Sequence, residues 1–316
     1  AWKGPSRDSF IAHTNARRWI VSPPERTDKR RHDGVRLYRF PFVPILCCEV
    51  GEKRDTAMPM TETVDLRDRY RRVMDRAADA AARSDRTPAD IIVVAVTKAA
   101  SPDQVRQLVE FGHQDLGESR AQQLTQRTAM IDEFLARHHA MTSGRKVEVP
   151  DRVRWHLIGH LQRNKVKPIL PLVRLIHSVD SMRLAEELQA QASKQDRAVD
   201  ILLQINASGE AGKFGLAPAA TPHVIDQMQS MTHVNVRGLM TMAPYADDPQ
   251  ASRPTFQRTA ETFHEIVQSG AAGPRFNLLS MGMSNDFEVA IECGANVVRI
   301  GRSLFGDATD DDAPHA

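Results

Sequence analysis

From residue 91 to residue 300 the chain alternates eight times between short apolar segments and longer stretches of helical period. The first, Ile91-Ile92-Val93-Val94-Ala95-Val96, is a β-branched run of the kind that forms a strand buried on both faces in a parallel sheet. Ser101-Pro102 follows, an N-cap and a first-turn proline, and Val105, Leu108 and Val109 then mark a helix that stops at Gly112. Further strands are expected at 115–118, 155–158, 175–179, 201–206, 236–242, 278–281 and 297–300, with helical patterns between them. Regular alternation of this kind dictates a parallel sheet with right-handed crossovers. Eight units over this length suit a closed (β/α)8 barrel better than an open doubly wound sheet. Ahead of the barrel, Leu66, Tyr70, Val73, Met74 and Ala77 recur at spacings of three and four and predict one extra N-terminal helix.

The flanks read differently. Residues 1–60 carry the polar stretch Pro23-Pro24-Glu25-Arg26-Thr27-Asp28-Lys29-Arg30-Arg31 and a proline-broken apolar piece, with no supersecondary pattern. They are expected to be a disordered or non-native leader, with a natural start at Met58 or Met60. The barrel domain is expected over 61–306, and 307–316 as an acidic tail. With 42 basic and 40 acidic side chains the net charge is +2, which argues for neither nucleic acid nor a membrane surface as partner. No apolar run approaches the roughly 18 residues a bilayer span needs. The three cysteines, Cys47, Cys48 and Cys293, have neither disulfide-framework nor metal spacing, so a reducing, cytoplasmic setting is expected.

In a (β/α)8 barrel the chemistry sits where the strands end and the following loops begin. The first strand ends at Thr97-Lys98, where desolvation in the barrel mouth would make the lysine amine nucleophilic enough for Schiff-base chemistry. The plain alternative is a lysine that snorkels to solvent from an ordinary strand end. After the seventh strand comes Ser280-Met281-Gly282-Met283-Ser284, and after the eighth Arg299-Ile300-Gly301-Arg302-Ser303. Gly282 and Gly301 allow close backbone approach, and the hydroxyls of Ser284 and Ser303 can donate to phosphate oxygens. Two glycine turns capping helices would look the same. A reactive lysine together with a phosphate cradle is the more specific combination, and it describes an aldehyde cofactor carrying a phosphate.

Several long motifs in fixed order carry a resemblance. They are Ala95-Val96-Thr97-Lys98, the run Trp155 to Lys165 (WHLIGHLQRNK), His177-Ser178-Val179-Asp180-Ser181, Lys213-Phe214-Gly215-Leu216, Gly238 to Pro244 (GLMTMAP), Ser280 to Phe287 (SMGMSNDF) and Val298-Arg299-Ile300-Gly301-Arg302. Over about 62–306 the chain resembles the YggS/PROSC family of pyridoxal phosphate homeostasis proteins. The resemblance implies an alanine-racemase N-terminal-domain-like barrel with pyridoxal 5′-phosphate (PLP) on Lys98. It implies phosphate contacts from Ser284, Gly301 and Arg302, and Arg299 beside the pyridine ring. His156 and Asn206 are expected to help line the pocket, and Met240 and Gly282 complete the expected cofactor-contacting set. Met240 and Met242, on the sixth strand, are expected as barrel filling rather than as redox-active groups.

The implied role is a monomeric carrier or buffer of PLP, with PLP-dependent apo-enzymes as possible recipients and no strong turnover. The related racemases and decarboxylases carry a second, β-rich domain, and none is expected after Phe305-Gly306. Two rivals stay open, a weak PLP-dependent amino-acid racemase with Tyr245 as its base and a barrel for a phosphate ester without PLP. The family's usual Gly-Glu-Asn is Gly117-Glu118-Ser119 here, and a second lysine often found two places after the Schiff-base lysine is Ala100. Lys213 is a weaker candidate for a secondary PLP contact. His156 and His160 fall at a strand end and a turn with no carboxylate at ligand spacing, so no metal is expected.

Overall fold

The computed structural model describes residues 65–141, 149–210 and 212–306. The expected leader and acidic tail lie outside the described residues. In chain order the elements are α1 (Leu66–Ala82), β1 (Ile92–Val96), α2 (Pro102–Glu110), β2 (Asp115–Glu118), α3 (Ala121–Met141), β3 (Arg154–Leu157), α4 (Val166–Ile169), β4 (Val173–Val179), α5 (Met182–Lys194), β5 (Val199–Gln204), α6 (Thr221–Met228), β6 (Val234–Met240), α7 (Arg253–Ser269), β7 (Leu278–Ser280), α8 (Phe287–Glu292), β8 (Val297–Ile300) and α9 (Arg302–Phe305). The eight strands pair in sequence order, all parallel, and β1 closes on β8 through the register Val94 to Arg299. This is the (β/α)8 barrel expected from the alternation, with α1 as the extra helix.

Successive strand residues face opposite sides, so each strand serves two cores. Ile201 and Leu203 of β5, Leu239 of β6 and Leu279 of β7 belong to the large core between barrel and helices. The residues alternating with them, Leu202 and Met240, pack with Leu175 and Leu278 as a small separate cluster inside the barrel. Met240 is fully buried there, so it fills the barrel.

Local signals account for the helix ends. Ser101 and Gln104 form a reciprocal capping box with Pro102 in the first turn of α2. At the other end of α7, Gly270 takes the left-handed conformation of a C-cap. The helical pattern around 162–170 delivers only a 3-10 turn, Arg163–Lys165, and the one-turn α4. Pro168 and Pro171 deny backbone donors there and end the helix early.

The end of the barrel where the strands begin is ringed by charge. Asp115 accepts from Arg154 Nε at 2.8 Å and from its Nη2 at 2.5 Å. Asp200 is held by Arg174 at 2.8 Å and by Arg237 at 2.6 Å. Burial alone would raise the Asp200 carboxyl, but Asn235 and the two arginines outweigh it and hold the group below its usual range. Among the described residues no helix is long and apolar enough to cross a membrane.

Candidate functional site

At the opposite end, where the strands finish, a cleft of about 440 Å3 opens. Lys98, Ser284, Arg299, Gly301 and Arg302 all line it, brought together from the ends of β1, β7 and β8. Lys98 follows Thr97, whose hydroxyl donates to Glu118 Oε1 at 2.5 Å and whose amide donates to the Gly117 carbonyl at 2.9 Å. Those bonds to β2 fix the turn out of β1 and deliver the lysine to the mouth. The side chain stays exposed, so the burial expected at this position is not found. Lys98 lies two residues beyond the end of β1, past the packed interior of the barrel. It makes no hydrogen bond or ion pair with another described residue.

Across the cleft the loop after β7 meets the loop after β8. The Ser284 hydroxyl oxygen accepts from the amides of Gly301 at 3.3 Å and Ser303 at 3.2 Å. Asp286 holds the loop in place, accepting from the Met283 amide at 2.7 Å and the Ser252 hydroxyl at 3.0 Å. A Cβ at Gly301 would lie 3.4 Å from both Cβ and the carbonyl oxygen of Val96, so the two strand ends approach closely at this point. The two amides and the Ser303 hydroxyl donate here to Ser284, and with the Arg302 guanidinium they form a donor set that suits a phosphate dianion taking over as the acceptor.

Arg299 comes from inside β8 and is almost fully buried. Its Nη1 donates to Ser280 Oγ at 2.6 Å and its Nη2 to the Thr241 carbonyl at 2.9 Å. Burial pulls its pKa down to about 10, with Asp286 opposing, so it remains a cation at neutral pH. The rim is apolar and open, with Phe214, Met242, Tyr245 and Met283 all exposed. Phe214 stacks on His160 with centroids 4.6 Å apart.

Four residues expected at the pocket lie elsewhere. His156 points into the barrel, where its Nδ1 meets His177 Nε2 at 2.9 Å and its Nε2 meets Asp115 at 3.0 Å. Asn206 spends its side chain on its own loop, donating to the Glu210 carbonyl and accepting from Ser208 and Gly209. Met240 is interior packing, as described above. Gly282 has φ +87°, and a Cβ there would sit 2.6 Å from Ala290 Cβ, so its smallness serves the packing of α8. Conversely, Ser119, His160, Phe214 and Asn285 line the cleft, although none of them is among the residues expected to contact the cofactor. Three of these stand in the quoted motifs, so the signal was present, but no spacing rule says which motif residues face the mouth.

Asp180 pairs with His160 at 3.4 Å. Lys213 is engaged with Glu210 at 2.9 Å.

Residues 80–309 match the family model of the alanine racemase N-terminal domain. A pyridoxal phosphate homeostasis protein of Aquifex aeolicus is 36% identical over 241 residues, covering 76% of this chain and 97% of that one. The chain belongs to this family. A second member, from Pseudomonas aeruginosa, is 32% identical over 244 residues, covering 77% of this chain and 95% of its own. Among solved structures, PipY of Synechococcus elongatus with PLP bound superposes with a TM-score of 0.60 at 29% identity, over 74% of this chain and all of PipY. An alanine racemase of Clostridium difficile, 14% identical with a TM-score of 0.55, shares the fold.

Proposed function

We propose that this protein binds PLP through a Schiff base on Lys98 and holds it for release to other proteins. The observation that carries the reading is a lysine amine with no partner among the described residues, in one cleft with Ser284, Gly301 and Arg302. The naming of the curated relatives as homeostasis proteins and the PLP in PipY support it. PLP would supply an aldehyde for an amine and a pyridine ring able to draw electrons. Lys98 offers the amine. Ser284, the Gly301 and Ser303 amides and Arg302 would hold the phosphate. Arg299, a donor with no acceptor, would face the ring nitrogen and disfavour its protonation, because a ring N–H would find no acceptor there. The ring then remains a weak electron sink, which suits storage better than turnover.

Absorption spectra of the protein given PLP, wild type beside Lys98→Ala and before and after borohydride, test this. A visible band that borohydride removes in the wild type and that the variant lacks is expected. Identical spectra would overturn the lysine assignment, and no band in either would favour a phosphate-ester barrel. A weak racemase reading has one observation in its favour, the phenol of Tyr245 on the cleft rim. Exchange of amino-acid α-hydrogen for solvent deuterium, lost in Tyr245→Phe, would establish it.

A further inference from the structure

Arg299 is one end of a hydrogen-bond chain that runs the length of the barrel interior. Ser280 Oγ accepts from Arg299 Nη1 at 2.6 Å and lies 3.0 Å from His177 Nδ1. His177 Nε2 lies 2.9 Å from His156 Nδ1, and His156 Nε2 lies 3.0 Å from Asp115 Oδ1. The five side chains come from β8, β7, β4, β3 and β2. Arg299 lines the cleft that holds Lys98. Asp115 and His156 line a second cleft, of about 520 Å3, at the far mouth.

With both rings neutral, the chemistry of the two ends fixes the direction of every bond between them. Arginine can only donate, and a carboxylate can only accept. Asp115 is held as carboxylate: burial would raise it, but hydrogen bonds from His156 and Arg154 prevail and lower it. His156 therefore donates from Nε2, which in the neutral ring leaves Nδ1 to accept from His177 Nε2–H. Burial drives the His177 pKa far below the usual value, so this ring is neutral and its Nδ1 accepts the Ser280 hydroxyl proton. Each inner group then donates once and accepts once, and none of the chain's atoms is among the buried polar atoms without a partner. The opposite direction would need an extra proton on a buried histidine and would leave the Ser280 hydroxyl hydrogen unused. The charged and titratable groups facing the chain are His113, beside Asp115 and His156, Arg154 at the far mouth, and Asp286 toward Arg299.

We propose that Ser280, His177, His156 and Asp115 are positioning residues for Arg299, joined in one directed chain whose sense is set by Asp115 at the far mouth. The consequence for the cofactor rests on the PLP reading above; the direction of the chain does not.

Imidazole 15N spectra of the full-length protein without PLP test the direction. His177 is expected to carry its proton on Nε2 only. In Asp115→Asn, whose side chain can donate as well as accept, the Nδ1 resonance should shift toward the protonated position. A wild-type His177 protonated on Nδ1, or no shift in Asp115→Asn, would overturn the proposal. PLP-loaded protein tests the coupling. Asp115→Asn should keep the amount of PLP trapped by borohydride yet shift the visible band. Asp200→Asn, which breaks an ion pair at the same mouth outside the chain, should leave the band unmoved. Equal shifts in both variants would reduce the effect to general loosening and sink the coupling. Should Asp115→Asn not fold, Ser280→Ala breaks the chain beside Arg299 and should shift the band, with Ser280→Thr restoring it. A wild type with no borohydride-sensitive band would refute the PLP reading and leave the histidine result to decide the chain alone.

Discussion

Single residues in this protein are constrained by contacts that their type alone does not announce. Gly238 sits inside β6 with φ +156°, and a Cβ there would lie 1.6 Å from the Leu278 carbonyl oxygen on β7. Gly270 also has positive φ, but a Cβ there would meet nothing within 4 Å. Gly238→Ala should therefore cost more than about 4 kcal/mol or yield no soluble protein, because backbone must move. Gly270→Ala should cost only the ~1–2 kcal/mol of a left-handed alanine. Urea denaturation of the two variants separates steric from conformational cost. At the same scale, Lys98 acquires its availability from standing past the strand with no partner among the described residues, not from burial.

The elements are held by apolar packing more than by their visible charges. Helix α1 lies against α8 and α9, with Arg76 paired to Glu288 at 2.6 Å and Arg83 to Glu292 at 3.0 Å. Both arginines are about half exposed, so screening limits each pair to well under ~1 kcal/mol. Val73 on the same helix is 1% exposed and sits in the main core. Removing its two methyls should cost about 2 kcal/mol through lost burial and the cavity left behind. Denaturation of Val73→Ala beside Arg76→Ala should thus show the valine as the larger loss. The reverse order would mean that charge docks α1.

Over the whole molecule, the polar interior makes stability fall with acid in two stages. Burial lowers the pKa of His113, with Asp115 opposing, and lowers that of His177 much further. The unfolded chain therefore binds these protons first, at its ordinary value near 6.5. Each histidine removes about 1.4 kcal/mol per pH unit as pH falls below that value, until its folded pKa is reached. Asp115 and Asp200 are depressed carboxylates, so their stabilisation is complete above about pH 4 and is lost as pH falls through their folded values. Chemical denaturation at pH 7.5, 5.5 and 4 should show a first loss from the histidines before any from the carboxylates. Flat stability between pH 7.5 and 5.5 would contradict neutral burial of His113 and His177.

The sequence by itself determined the eight strands, their order and the residues that end β1, β7 and β8. Those are local properties: β-branched runs, helical periodicity, and glycine turns that must fall between elements. It also placed Lys98, Ser284, Arg299, Gly301 and Arg302 at strand ends, and all five meet in one cleft. Only the tertiary structure decided which interior residues face which mouth. The closure of β1 on β8 and the stagger between strands set the depth at which each inward side chain lies. His156, next to last in β3, hangs toward the far mouth, while Arg299, inside β8, reaches the near one. For the same reason the path from Asp115 to Arg299 is absent from any spacing in the chain. Its five members come from five strands, and they touch only because the sheet closes into a barrel.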